Sequence, residues 1–175
     1  MQAHINPDHY LQTPQGIVWT EARGRQARAR AYTDLEYALR EAGEGGVLYL
    51  VCGIQGGGKT SWIRDNRSRL EDDAIFLDAA LPRRRHRQRA LDLAMAHRIP
   101  AVAVWIDVSL ETALQRNQAR PEGERVPVEA IRRVFAQLEP PMQVEGFARV
   151  DIVSAAVRLP DVESDRGVSG CQPPA

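Results

Sequence analysis

Between residues 47 and 53 the chain reads VLYLVCG, an unbroken apolar run rich in β-forming residues. A run with no polar alternation predicts a strand covered on both faces, as in a parallel sheet. The same pattern returns in AIFLDAAL (74–81), in IPAVAVWIDV (99–108) and, more weakly, in FARVDIVSA (147–155). Between these runs the apolar positions recur at a helical period. Helices are predicted over 58–70, over the arginine-rich RRRHRQRALDLAMAHR (83–98), over SLETALQRNQAR (109–120) and over VPVEAIRRVFAQLE (126–139). Ser109 is the N-cap candidate of the third, while Pro121, Gly123, Pro127 and the Pro140–Pro141 pair interrupt the helical pattern. Upstream, Ala27, Ala31, Leu35, Ala38 and Leu39, with Tyr32, form an apolar stripe that predicts a helix over 24–42, stopped by Gly43, Gly45 and Gly46. Residues 1–23 are polar and irregular, with GIVWTEAR (16–23) a candidate short strand. Strands alternating with helices predict an α/β fold: a three-layer sandwich around a mainly parallel sheet of about four to five strands. In such sheets ligands sit beyond the carboxyl ends of the strands, where Gly53, Asp78 and Asp107 fall.

Composition narrows the function classes. A length of 175 residues suits one domain, and 43% hydrophobic with 26% charged residues is ordinary for a soluble globular chain. A net charge of zero predicts no polyanionic partner from overall charge, although local clusters remain. Cys52 lies in an apolar strand and Cys171 in a polar tail, so a disulfide is not expected. The start MQAHINPDHY lacks the basic and apolar regions of a signal peptide, and no apolar run reaches the roughly 20 residues of a membrane span. A cytoplasmic protein with no membrane contact is the expectation. The four histidines have no metal-ligand spacing.

One compositional oddity points to chemistry. Lys59 is the only lysine, against 22 arginines. A chain that uses arginine wherever charge suffices has kept a compact ammonium at one place, and the two cations differ in shape and hydration. That place is the segment Gly53-Ile54-Gln55-Gly56-Gly57-Gly58-Lys59-Thr60, which matches the phosphate-binding pattern G-x-x-x-x-G-K-[ST] in full, after a predicted strand and before a predicted helix. Glycines let successive N–H groups turn toward phosphate oxygens, and the following helix, whose first turn includes Ser61, adds its positive end. Lys59 is suited to the β- and γ-phosphates, and the Thr60 hydroxyl to Mg²⁺.

Phosphoryl transfer needs further cations and a group that activates the acceptor. Asp78, ending AIFLD, is the candidate to accept the acceptor's proton or to hold Mg²⁺ through water; Asp107 is expected to cap the next helix or orient the site. Arg116 and Arg120 lie four apart on one helix face, and Arg125 follows a Pro/Gly break, the pattern of a lid whose arginines close on phosphates. The run Arg83, Arg84, Arg85, Arg87 and Arg89 just past Asp78 is either a clamp for an anionic acceptor or a solvated helix face.

Over residues 47–153 these features together resemble the polynucleotide-kinase-like branch of P-loop kinases, relatives of the phage 5′-hydroxyl polynucleotide kinase with zeta toxins as more distant kin. IFLDAALPRRRHRQRALDLA looks like that family's strand-Asp segment and arginine-bearing helix. Arg116-Asn117-Gln118-Ala119-Arg120 is similar to its R-N-x-x-R lid motif, and the segment around Glu145-Gly146-Phe147 to its closing element. With the N-terminal helix and the polar tail, which lie outside the resemblance, three regions are expected: an N-terminal extension with a helix (1–45), a P-loop kinase-like domain (46–157) and a flexible C-terminal tail (158–175). It implies Mg-ATP as phosphate donor, with catalytic roles for Lys59, Asp78, Arg116 and Arg120. It implies nucleotide binding by Gly53 to Ser61 with Arg125, and acceptor binding by Arg83, Arg84 and Arg85. The acceptor is a hydroxyl, with a nucleic-acid 5′ end as one candidate. One departure stands out. The family carries an Asp and an Arg for the acceptor on a strand–helix unit after the P-loop helix, and residues 61–77 are too few to hold that unit. Asp65 is expected to face away from the phosphates. The N-terminal extension is available to fill the gap. The alternative is a nucleotide-binding or ATPase regulatory module that lacks a working acceptor site.

Overall fold

The computed structural model describes residues 2–13, 16–18 and 20–154. The tail expected over 158–175 and Cys171 lie outside the described residues. Among the described residues, seven strands and five α-helices follow in chain order: β1 (Ala3–Ile5), β2 (Gln12–Thr13), β3 (Gly16–Ile17), α1 (Glu21–Ala42), β4 (Val47–Cys52), α2 (Lys59–Asn66), β5 (Ala74–Asp78), α3 (Arg84–Ala96), β6 (Ala101–Asp107), α4 (Leu110–Gln118), α5 (Val128–Phe135) and β7 (Arg149–Ser154). Short 3₁₀ turns join several of them, among them Pro7–Leu11 after β1 and Arg67–Arg69 after α2.

The main sheet has five strands in the order β1-β5-β4-β6-β7, and every neighbouring pair is parallel. Each apolar run supplies both faces. Leu48, Leu50, Ile75 and Leu77 join one buried cluster with Leu35 and Leu39 of α1 and Ala90, Leu91 and Ala94 of α3. Tyr49, Val51, Phe76, Val104 and Ile106 join the other, with Ile63 of α2, Ala113 of α4 and Ile131 of α5. The result is the three-layer α/β sandwich that the alternation of elements predicts. Its two cores explain why the central strands read as continuous apolar sequence rather than as alternation.

The N-terminal residues depart from the sequence reading. The chain between 16 and 23 is not one strand: β3 pairs only with β2 in a two-residue antiparallel ribbon. Helix α1 then starts three residues earlier than the periodicity suggests. Its start is fixed by Thr20, whose side chain accepts a hydrogen bond from the Arg23 N–H at 3.2 Å, and Glu21 adds a favourable charge in the first turn. Strand β1 occupies an edge of the main sheet, with Ala3, His4 and Ile5 in register with Ile75, Phe76 and Leu77. Between Thr60 and Asp78 there is room only for α2 and one turn, as the spacing requires.

Candidate functional site

All five main strands run in the same direction, so their carboxyl ends share one edge of the molecule. Among the segments that leave the sheet there are Gly53–Gly58 after β4, residues 79–83 after β5 and Asn6–Leu11 after β1. The glycine loop is shaped by its neighbours. Gly53 has φ 138°, and a Cβ there would lie 2.6 Å from the Ile106 carbonyl oxygen. Gly56 has φ 78°, and a Cβ would lie 2.4 Å from the Ala113 carbonyl oxygen. Both combine a left-handed backbone with an approach no side chain tolerates. The loop thus lies flush against β6 and α4, and a Cβ would fill the space that lets it curl.

Ile54 anchors the loop from below; it is buried in the second core cluster, and its carbonyl accepts from the Gly57 N–H at 3.1 Å. Gln55 is half-buried. Lys59 opens α2, and its Nζ donates to the carbonyl oxygens of Gly53 (3.2 Å) and Ile54 (3.1 Å), bridging the loop from within. An ammonium has three donors, so this geometry leaves one for an anion. Burial pushes the Lys59 ammonium below its usual value, and the carboxylates of Asp78 and Asp8 work against that shift. Thr60 and Ser61 follow in the exposed first turn of α2.

Asp78 is 2% exposed at the end of β5. Its Oδ2 accepts from the Thr60 hydroxyl at 2.5 Å and from Asn6 Nδ2 at 3.2 Å, and lies 3.4 Å from His4 Nε2. Burial would raise this carboxyl. The bond from His4, the Lys59 ammonium and the Thr60 hydroxyl outweigh burial and hold it below the usual carboxylate range. A hydroxyl hydrogen-bonded to an ionised, buried carboxylate is an oxygen donor set that would suit Mg²⁺.

The lid candidates divide. Arg116 Nη1 donates to the Gly57 carbonyl at 2.7 Å, so α4 reaches the loop directly. Arg120 lies within electrostatic reach of Lys59 and Asp8. Arg125 is exposed, and its Nε bonds the Arg120 carbonyl at 2.8 Å. Asn117 is buried and clasps Val126 with two hydrogen bonds, 2.9 Å to its carbonyl and 3.0 Å from its N–H, pinning the segment after α4. Arg83, Arg84 and Arg85 line a separate cavity of about 680 Å³ with Gln88 and Glu139.

Two sequence readings need correction. Arg87 is not on a solvated or clamping face. It is fully buried, with Nε and Nη2 on the two Glu145 oxygens (2.8 and 2.7 Å) and Nη1 on the carbonyls of Leu81 and Glu139. Arg89 is exposed on the same helix, as a solvated face allows, with its guanidinium 4.2 Å from the centre of the Tyr32 ring. Asp107 does not cap α4: it is exposed, and Ser109 accepts from the Thr112 N–H at 3.1 Å instead. Asp65 does face away, exposed and bonded to Arg64 at 2.9 Å. The residues that sequence reasoning missed are His4, Asn6 and Asp8, brought to the site only by the pairing of β1 with β5.

A family model described as an AAA domain matches residues 65–141, from the end of α2 through α5. The matched span begins after the glycine loop, so it is independent of the loop's own geometry. Together the two support a P-loop nucleotide-binding domain of the kinase and ATPase type. A search of curated protein sequences finds no match. Among the described residues no helix is long and apolar enough to cross a membrane.

Proposed function

We propose that the chain is an ATP-dependent phosphotransferase, moving the γ-phosphoryl group of Mg-ATP to a hydroxyl acceptor. The observation that carries this reading is the loop Gly53–Thr60, bridged by Lys59, touched by Arg116 and seated above an ionised Asp78. The loop amides and the start of α2 hold the phosphates. Lys59 and Arg116, with Arg120 near by, stabilise the charge that spreads over the γ-phosphoryl oxygens as the bond to the β-phosphate opens. Thr60 and Asp78 would hold Mg²⁺, which when bound neutralises the β- and γ-oxygens. Arg83, Arg84 and Arg85 offer fixed cations to an anionic acceptor, and a nucleic-acid 5′-hydroxyl end fits that description.

The short stretch between Thr60 and Asp78 favours a second reading, a nucleotide-binding or ATPase module that regulates a partner. Strand β1 pairs with β5 and brings N-terminal side chains to Asp78, which supports the first reading. Transfer of radiolabelled γ-phosphate to a 5′-hydroxyl oligonucleotide separates them. Labelled oligonucleotide, lost in Lys59→Ala, is the expected result. A protein that binds ATP but labels no oligonucleotide, RNA or small hydroxyl compound is a regulatory module instead.

A further inference from the structure

The carboxylates near the glycine loop can be sorted by what already occupies them. Asp78 shares one oxygen among Thr60, Asn6 and His4. Asp65 is exposed on the outer side of α2 and bonded to Arg64. Glu145 is locked to Arg87. Asp107 is exposed at the end of β6. Asp8 differs from all of these. It is half-buried, and among the described residues its carboxylate takes no hydrogen bond or ion pair.

Its position is fixed through the backbone. The parallel register Ile5↔Leu77 puts Asn6 beside Asp78 at the carboxyl end of the sheet. The Asn6 side chain then works at both ends: Nδ2 donates to Asp78 at 3.2 Å, and Oδ1 accepts from the Asp8 N–H at 2.9 Å. Pro7 starts the 3₁₀ turn and fixes its backbone. Asp8 is thereby held on the same edge as Thr60 and Lys59, one side chain away from the metal-binding pair. The charged and titratable groups that act on it are Lys59, Asp78, Arg120 and His9.

We propose that Asp8 is the general base of the phosphotransfer: it takes the proton of the acceptor hydroxyl. This rests on the phosphotransferase reading above. The acceptor oxygen forms its bond to the γ-phosphorus, the bond from that phosphorus to the β-bridging oxygen breaks, ADP leaves, and the acceptor proton passes to the Asp8 carboxylate. The base therefore comes from a strand N-terminal to the phosphate loop, and a core too short for an inserted strand–helix unit is complete with β1 in place. Burial and the neighbouring Asp78 charge raise the Asp8 carboxyl above its usual value, opposed by Lys59, Arg120 and His9, which moves it toward the range useful to a base at neutral pH.

The test measures γ-phosphate transfer and ATP binding on the full chain. Asp8→Asn keeps the shape and the turn, and should bind ATP within a few fold of wild type while transfer falls by roughly 10²–10⁴-fold, the usual contribution of a general base. In Asp8→Ala, added formate should restore part of the transfer, because a free carboxylate can enter the space the side chain leaves; a merely structural role would show no such rescue. Wild-type transfer in Asp8→Asn overturns the proposal and leaves the phosphotransferase reading standing. Loss of ATP binding together with transfer, without formate rescue, also overturns it, by making Asp8 a folding residue. Absence of transfer in the wild-type protein overturns the phosphotransferase reading, and this proposal with it.

Discussion

Among the described residues the fold buries two carboxylates, and it treats them in opposite ways. Glu145 meets a single guanidinium, fork to fork, with the Met142 N–H as a further donor at 3.0 Å. Both members of that pair are walled in, and the last Arg87 donor goes to two carbonyls. Asp78 meets no guanidinium. Its partners are a hydroxyl, an amide and an imidazole from three different segments, and the nearest fixed cation, Lys59, also spans the phosphate loop. A closed ion pair has no capacity left for a ligand and ties α3 to the segment before β7. A carboxylate held by a hydroxyl, an amide and an imidazole at the mouth of a loop keeps its charge available to a metal and its water. Both are held below the usual carboxylate range despite burial, so the shift alone does not separate structure from chemistry; the identity of the partners does.

The contrast can be broken from either side. Arg87→Ala leaves Glu145 buried without its cation and should cost about 3–5 kcal/mol of stability, read as a lowered denaturant midpoint. Below its melting point the variant should still bind ATP. Lys59→Ala should do the reverse: a smaller loss of stability than Arg87→Ala, with phosphoryl transfer reduced by roughly 10²–10³-fold, as for loss of one preorganised charge at a transition state. Gly56→Ala lies between the two. Its Cβ meets the Ala113 carbonyl, so α4 must move away from the loop, costing about 1–3 kcal/mol of stability and weakening ATP binding measurably by calorimetry.

The smallest expected effect concerns pH. The Asp78 carboxyl is lowered in the fold, so its ionised form stabilises the protein. That contribution is complete above the ordinary carboxylate value and is lost as pH falls through the lower, folded value. His4→Phe keeps a ring at the site but removes the His4 hydrogen bond to Asp78, which raises the folded value and shrinks the contribution. Acid unfolding of this variant, followed by circular dichroism, should therefore begin at a higher pH than in the wild type. An unchanged acid transition would assign the Asp78 shift to Lys59 and Thr60 alone.

What could be read from the sequence follows the same division. The central strands were legible because burial on both faces leaves continuous apolar runs, and the loop because phosphate binding demands glycine and lysine at fixed spacing. Arg87 was hidden in an arginine run, yet a signal existed: Arg87, Ala90, Leu91 and Ala94 fall on one helical face, and the last three are core. Residues of a run that share the core stripe belong to the interior, whatever their charge. The site of His4, Asn6 and Asp8 had no such signal. Strand β1 is three residues long and mostly half-buried, too short for any periodicity, and its partner lies some 70 positions away in sequence. A residue that gains its role through non-local pairing carries no local pattern to announce it.

The central claim is that the loop Gly53–Thr60 and the turn after β1 form one nucleotide site, joined through Asp78. Amide hydrogen exchange with and without Mg-ATP tests it most directly. The account predicts increased protection both at Gly56–Ser61 and at Asp8–Leu11, with both responses lost in Lys59→Ala. Protection confined to the loop, with Asp8–Leu11 unchanged by nucleotide, would contradict it.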